Sequence, residues 1–123
     1  AMVAGDTVLV PSLYEPGGYP NKMGKVYGAP ALVRRTGGLA DTVDYRADPQ
    51  HFNGFVFNDL DVGGVAYALD SFLDFYGQGA AYRSRQLSRI REEARKQEDP
   101  AHLVREYIPI WEEMLSEPLR YRE

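Results

Sequence analysis

A chain of 123 residues can form one domain around a modest core and is too short for two. With 44% hydrophobic and 26% charged residues it falls outside the disordered and fibrous classes, and a formal charge of -4 argues against a nucleic-acid binder, which clusters Lys and Arg on phosphates. It has no cysteine, which removes disulfides and thiolate metal sites.

In chain order, the first two-thirds alternates short apolar runs with helical patterns, the reading of an α/β domain with a parallel sheet. Thr7 to Val10 predicts a buried strand ended by Pro11. Tyr19 to Tyr27 predicts a helix, with Pro20 suited to its first turn and Gly28 to its end. Ala31 to Arg34 is the second strand. Gly37 and Gly38 then turn the chain into a short helix over Leu39 to Val43. Tyr45 to Asn53 is polar, contains Pro49 and reads as a loop, and Gly54 to Phe57 is the third strand.

Three helices follow. Over Asp61 to Tyr76 the residues Val62, Val65, Ala66, Leu69, Phe72, Leu73 and Tyr76 recur at helical spacing and predict one apolar face. Ala80 to Gln97 has a thinner stripe of Ser84, Leu87, Ile90 and Ala94. Its arginines 83, 85, 89, 91 and 95 interleave with Glu92 and Glu93, as on a solvated face. Asp99 can cap a last helix that has Pro100 at its first position. Pro109 lies inside the run His102 to Leu115, so a kink or break is expected there. Tyr107, Trp111 and Met114 are expected as core contacts. No apolar run reaches the roughly 20 residues that cross a bilayer. The start, Ala1-Met2-Val3, lacks the regions of a signal peptide, so the default setting is cytoplasmic.

The chemistry concentrates in Ser12 to Met23, between the first strand and the first helix. Ligands of open α/β sheets bind beyond the carboxyl ends of the strands. Paired glycines let a ligand approach the backbone, and the amides of Gly17, Gly18 and Tyr19 at a helix start suit an anion. Glu15 adds a hydrogen-bond acceptor beside that cradle. A ligand with both hydroxyls and phosphates would use both. Taken alone, a Gly-Gly turn before a helix is more often plain chain geometry.

The runs Leu9 to Gly18 (LVPSLYEPGG) and Tyr27 to Val43 (YGAPALVRRTGGLADTV) closely resemble the bacterial glycogen and plant starch synthases, in order and spacing as well as content. The resemblance covers nearly the whole chain, and Arg34 to Val43 is its most specific part. It implies a single domain over 1–123, a truncated C-terminal, nucleotide-sugar-binding half of a retaining GT-B glucosyltransferase. The fold class it implies is a partial Rossmann-like α/β domain: a parallel sheet of about three strands, flanking helices and a helical tail. The implied partners are the donor, ADP-glucose or UDP-glucose, and an α-glucan acceptor in the full enzyme, with no cofactor and no metal. Glu15 matches a family glutamate that contacts the donor sugar and is assigned a catalytic role. Gly17 and Gly18 match the turn that binds sugar and phosphate oxygens, Tyr19, Pro20 and Asn21 line the diphosphate and ribose, and Thr36, Gly37 and Gly38 match a loop of the same site.

The chain departs from the family at Tyr19, often Leu there, at Asn21, often Gln, and at Gly17, often Cys. Lys22 replaces an apolar residue. It puts a charge near the expected diphosphate, although a solvated helix lysine is the commoner role. Lacking the upstream strands and the acceptor domain, the chain is expected to be inactive alone and to self-associate, by pairing at the unpaired edge of its first strand or by exchange of the kinked last helix. A freestanding nucleotide-sugar-binding or protein-interaction module is the alternative. His51 and His102 lack the carboxylate spacing of a metal site, and Asp41, Asp44 and Asp48 do not fit a calcium loop.

Overall fold

A computed structural model of the protein describes residues 5–45 and 51–116. The central layer is a sheet of three parallel strands in the order β1 (Val8–Val10), β2 (Ala31–Arg34), β3 (Phe55–Phe57). Between β1 and β2 runs α1 (Tyr19–Tyr27), and β2 is followed by α2 (Gly38–Thr42). Three helices close the chain: α3 (Val62–Gly77), α4 (Ala80–Gln97) and α5 (Pro100–Ser116). The architecture is the expected partial Rossmann-like α/β domain. Of the expected polar loop, residues 46–50 lie outside the described residues, as does Asp48.

Side chains of a strand alternate between two faces, and each face of this sheet has its own core. Val8, Val10, Ala31, Val33 and Val56 point to one side and pack with Leu39 and Val43. The other side gathers Leu32, Phe55 and Phe57 with Ala68, Phe72 and Phe75 of α3. The phenylalanines meet edge to face, as the Phe55 and Phe72 rings do at 5.6 Å and 89°. Leu9 shares this second side but is 51% exposed, because α3 packs on β2 and β3 and leaves β1 bare.

Helix ends follow their sequence signals. Asp61 caps α3, accepting from the Gly64 N–H at 2.7 Å. Gly28 ends α1 in the left-handed region at φ 82°.

Four expectations are corrected. The inward face of α3 centres on Val65, Ala68, Phe72, Phe75 and Tyr76, whereas Val62, Leu69 and Leu73 are exposed. The apolar residues of α3 form two adjacent stripes, and the sheet is wide enough to cover one. On α4, Ile90 and Ala94 are buried, Leu87 packs at the core margin and Ser84 is exposed. The break expected at Pro109 does not occur: the last helix runs through it, since a proline removes one hydrogen bond and the turns on either side keep theirs. No residue of α5 is buried, so Tyr107, Trp111 and Met114 are surface residues rather than core contacts.

Candidate functional site

β1 stops at Pro11, and residues 11–18 loop across the carboxyl end of the sheet before α1 starts. The loop is shaped by its own carboxylate: Glu15 Oε1 accepts from the Gly18 N–H at 3.1 Å. Gly18 itself takes φ 62°, the left-handed conformation that glycine adopts without strain.

Three bonds latch this loop onto the one that follows β2. Arg34 Nη1 donates to the Leu13 carbonyl at 2.8 Å, and the Thr36 hydroxyl donates to the same oxygen at 3.2 Å. The Gly38 N–H donates to the Glu15 carbonyl at 2.9 Å. The glycine pair is what permits this approach. A β-carbon on Gly37 would collide with the Glu15 carbonyl, and one on Gly38 would stand 2.5 Å from the Pro16 oxygen. Gly37 also holds φ 47° and ψ -138°, a region closed to other residues. Thr36, Gly37 and Gly38 are therefore the floor on which the Glu15 turn rests.

Glu15, Gly17, Gly18 and Tyr19 come together at the start of α1. Glu15 is half-buried, with Oε1 engaged and Oε2 without a hydrogen bond among the described residues. Open space lies beside the Gly17 α-carbon. Tyr19, 69% exposed, and Pro20 form the rim. No acidic side chain occupies the first turn of α1 and no side chain caps it. An uncapped helix start beside an open glycine can accept an anion, and a free carboxylate oxygen next to it can accept from hydroxyls.

Asn21 stands apart from this group. It is fully buried between α1 and α2, where Nδ2 donates to the Thr42 hydroxyl at 3.3 Å and Oδ1 has no partner among the described residues. Thr42 joins the two helices: its hydroxyl also donates to the Gly38 carbonyl at 2.7 Å. The Thr42 carbonyl accepts from Lys25 Nζ at 2.7 Å and from Asn53 Nδ2 at 3.3 Å. Lys25, 7% exposed, is the one buried lysine among the described residues. Burial lowers its amine from 10.5 to about 8, against the pull of the Glu98 carboxylate and with a further push from Lys22.

Sequence reading missed Arg34, Thr42 and Lys25. The available signal was α1 itself, a short helix beside buried strands whose inward positions 21 and 25 are both polar. Lys22 is the other lysine of α1, and it pairs with Glu98 at 3.2 Å.

A larger, polar groove of about 1110 Å³ lies along the flank of α1, lined by Lys22, Lys25, Arg35, Asp41, Glu98 and His102 among others. None of Glu15, Gly17, Gly18 or Tyr19 lines it. Its lining carries three basic and five acidic side chains, in part paired, Lys22 with Glu98 and His102 with Glu106 at 3.4 Å, so it reads as a helix junction. Among the described residues no three His, Asp or Glu side chains cluster as metal ligands, and no helix is long and apolar enough to cross a membrane.

Comparison with known proteins places this loop pair in a family. No family model matches the chain. The glycogen synthase of Histophilus somni is 44% identical over 87 residues, 68% of this chain and 18% of the relative. That of Variovorax paradoxus is 38% identical over 117 residues, 91% of this chain and 23% of the relative. Among solved structures, the catalytic domain of starch synthase IV from Arabidopsis thaliana, bound to ADP and acarbose, superposes with a TM-score of 0.67 at 29% identity. That match covers 80% of this chain and 22% of the neighbour. The chain belongs to the glycogen and starch synthase family. It spans about a fifth of the length of the relatives it matches, and the segment carries three strands of the sheet and the Glu15 turn.

Proposed function

We propose that this chain is the donor-binding part of a retaining glucosyltransferase that extends α-glucans from ADP-glucose or UDP-glucose. The observation that carries the reading is the Glu15 to Gly18 turn, held by the Thr36 to Gly38 floor, with an uncapped helix start and an open glycine beside it. In this reading Glu15 is the catalytic carboxylate, and its free oxygen meets the donor sugar. Gly17 and Tyr19 receive phosphate oxygens, while Gly18, whose N–H holds Glu15, shapes the turn around them, with Pro20 at the rim. Asn21, Thr36, Gly37 and Gly38 serve the donor by holding the turn. The ADP of the starch synthase neighbour supports a nucleotide as ligand.

Transfer requires an acceptor hydroxyl held against the anomeric carbon, and positioning supplies much of the rate. The chain alone therefore binds donor weakly and turns over no glucan. A cytoplasmic setting and a place in glycogen-type biosynthesis belong to the same reading. So does self-association, for which the free edge of β1 with its exposed Leu9 is one surface. The alternative, an interaction module without catalysis, is favoured by the wholly exposed apolar side of α5.

Titration with ADP-glucose, UDP-glucose, ADP and UDP, followed by backbone amide NMR, tests the proposal. Shifts centred on residues 15–21 are expected, with the stronger nucleotide naming the donor. A folded chain that shows no shift at millimolar ligand would refute donor binding by this segment.

A further inference from the structure

Behind the Glu15 turn, α2 has five residues, fewer than a helix needs to stand on its own. Both its ends are held from outside. At the front the Gly38 N–H holds the Glu15 carbonyl at 2.9 Å, and Leu39 Cδ2 stands 3.0 Å from where a β-carbon on Gly18 would be. At the back the Thr42 carbonyl accepts from Lys25 Nζ at 2.7 Å and from Asn53 Nδ2 at 3.3 Å, so both its lone pairs are taken. The Thr42 hydroxyl ties the two ends together, accepting from Asn21 and donating to the Gly38 carbonyl. Gly38 therefore carries the Glu15 turn on its N–H and the Lys25-held Thr42 on its carbonyl. Lys25 stays in this place against its own solvation. Its amine is buried and its acceptor is a carbonyl, while the Glu98 carboxylate pairs with Lys22. A charge in that setting lowers stability, and an apolar side chain of the same length would not.

We propose that Lys25 is a positioning residue for donor binding: from α1 it fixes the far end of α2, and α2 in turn holds the Glu15 turn in the shape that receives the donor. The inference rests on the donor reading of that turn and adds to it a residue outside both loops. Spacing within α1 supports it. Asn21 and Lys25 are four positions apart, on one face of the helix, and both are buried toward α2. The same helix begins at the donor loop, so these two side chains lock α2 to the element whose first amides face the anion. The Glu15 turn and its backstop are thereby joined into one body. An apolar residue at position 25 would pack α1 equally well, but only a hydrogen-bond donor can hold the Thr42 carbonyl. The stability lost to the buried charge is exchanged for a fixed α2, as is common at sites where function and stability compete.

Lys25→Met in the whole chain makes the test, because it keeps the length of the side chain and removes the donor. Hydrogen exchange of the ligand-free protein is the first reading. The β2 amides are expected to exchange more slowly than in the parent, following the gain in overall stability. The Gly18 and Gly38 amides, which hold Glu15, are expected to exchange roughly tenfold faster, the ratio for one charge-assisted hydrogen bond lost. Opposite signs in one sample mark positioning, since a residue that only filled the core would move both sets the same way. Titration with ADP-glucose and UDP-glucose, followed by amide shifts, is the second reading. The variant is expected to bind roughly threefold or more weakly than the parent, because less of it holds the receptive turn. Gly18 and Gly38 amides that slow together with β2, or a donor affinity equal to the parent's, would overturn the proposal. A parent that binds neither sugar nucleotide would sink the donor reading, and the exchange result would then judge the hold of Lys25 on the turn by itself.

Discussion

Phe57 and Trp111 are both large aromatics in regular structure, yet one is 1% exposed and the other 53%. Phe57 ends the central layer, and α3 closes over it with Ala68, Phe72 and Phe75. Trp111 stands on a helix whose main neighbour is α4. The difference teaches that apolar patterning marks which side of an element wants cover, and only the elements at hand decide whether it is covered. Truncation separates the two most sharply. Phe57→Ala should cost about 3 to 5 kcal/mol in a denaturant melt, the range for a large aromatic lost from a core. Trp111→Ala, measured in dilute solution where the chain is monomeric, should change stability by less than about 0.5 kcal/mol. Equal costs would mean that α5 is packed in the monomer.

Next in size is the lysine buried on the other side of the sheet. The Lys25 amine is near 8 in the folded chain and near 10.5 when unfolded, so between these values the unfolded chain binds more protons. Stability therefore rises with pH through this window. The lysine's contribution is complete above about 10.5 and is lost as pH falls through 8. At 1.36 kcal/mol per pH unit the span is about 3 kcal/mol. Lys25→Met should flatten this dependence and leave the chain more stable than the parent at neutral pH. Denaturant midpoints from pH 7 to 10.5 check it, and a parent whose stability falls with pH over that range would contradict the assigned burial.

A smaller effect, of about 2 kcal/mol, is expected for Gly37→Ala, from a backbone conformation closed to alanine and a collision with the Glu15 carbonyl. The substitution should also shift the amide resonances of residues 13–18, because it pushes apart the latched loops. A change confined to residues 36–39 would show that the Glu15 turn stands without its floor.

These contrasts also mark how much the residues disclose by themselves. Val8 to Val10, Ala31 to Arg34 and Phe55 to Phe57 were legible as strands because short β-branched or aromatic runs lie between proline and glycine signals. Gly37 and Gly38 were legible as a turn, and their family match brought them to the site. Nothing in the run told that their role is to make room for the Glu15 and Pro16 backbone, since that contact joins segments more than twenty positions apart. Arg34 was hidden for the same reason: it ends a strand, and its work is to hold the Leu13 carbonyl across the sheet end. Asn21 was legible only as a donor-lining residue through the family match, and Lys25 carried no signal of its own, because hydropathy assigns polar residues to water or ligand. The Thr42 hydroxyl and carbonyl give them partners inside. On α3 the periodicity was right, and the choice of which stripe is covered lay with the width of the sheet.

The smallest effect separates the two lysines of α1. Lys22 reaches Glu98 at 3.2 Å with a side chain 36% exposed, so solvent screens the pair. Lys22→Gln should cost no more than about 0.5 kcal/mol. Its affinity for ADP-glucose should stay within about twofold of the parent, since a lysine engaged with α4 adds little to a diphosphate at the Glu15 turn. Isothermal titration of both chains at low and at high salt makes the measurement. A loss of tenfold or more at low salt, closing as salt rises, would mean that Lys22 leaves Glu98 for the diphosphate. The start of α1 would then recruit its second charge from the helix flank, and the polar groove would be continuous with the donor site.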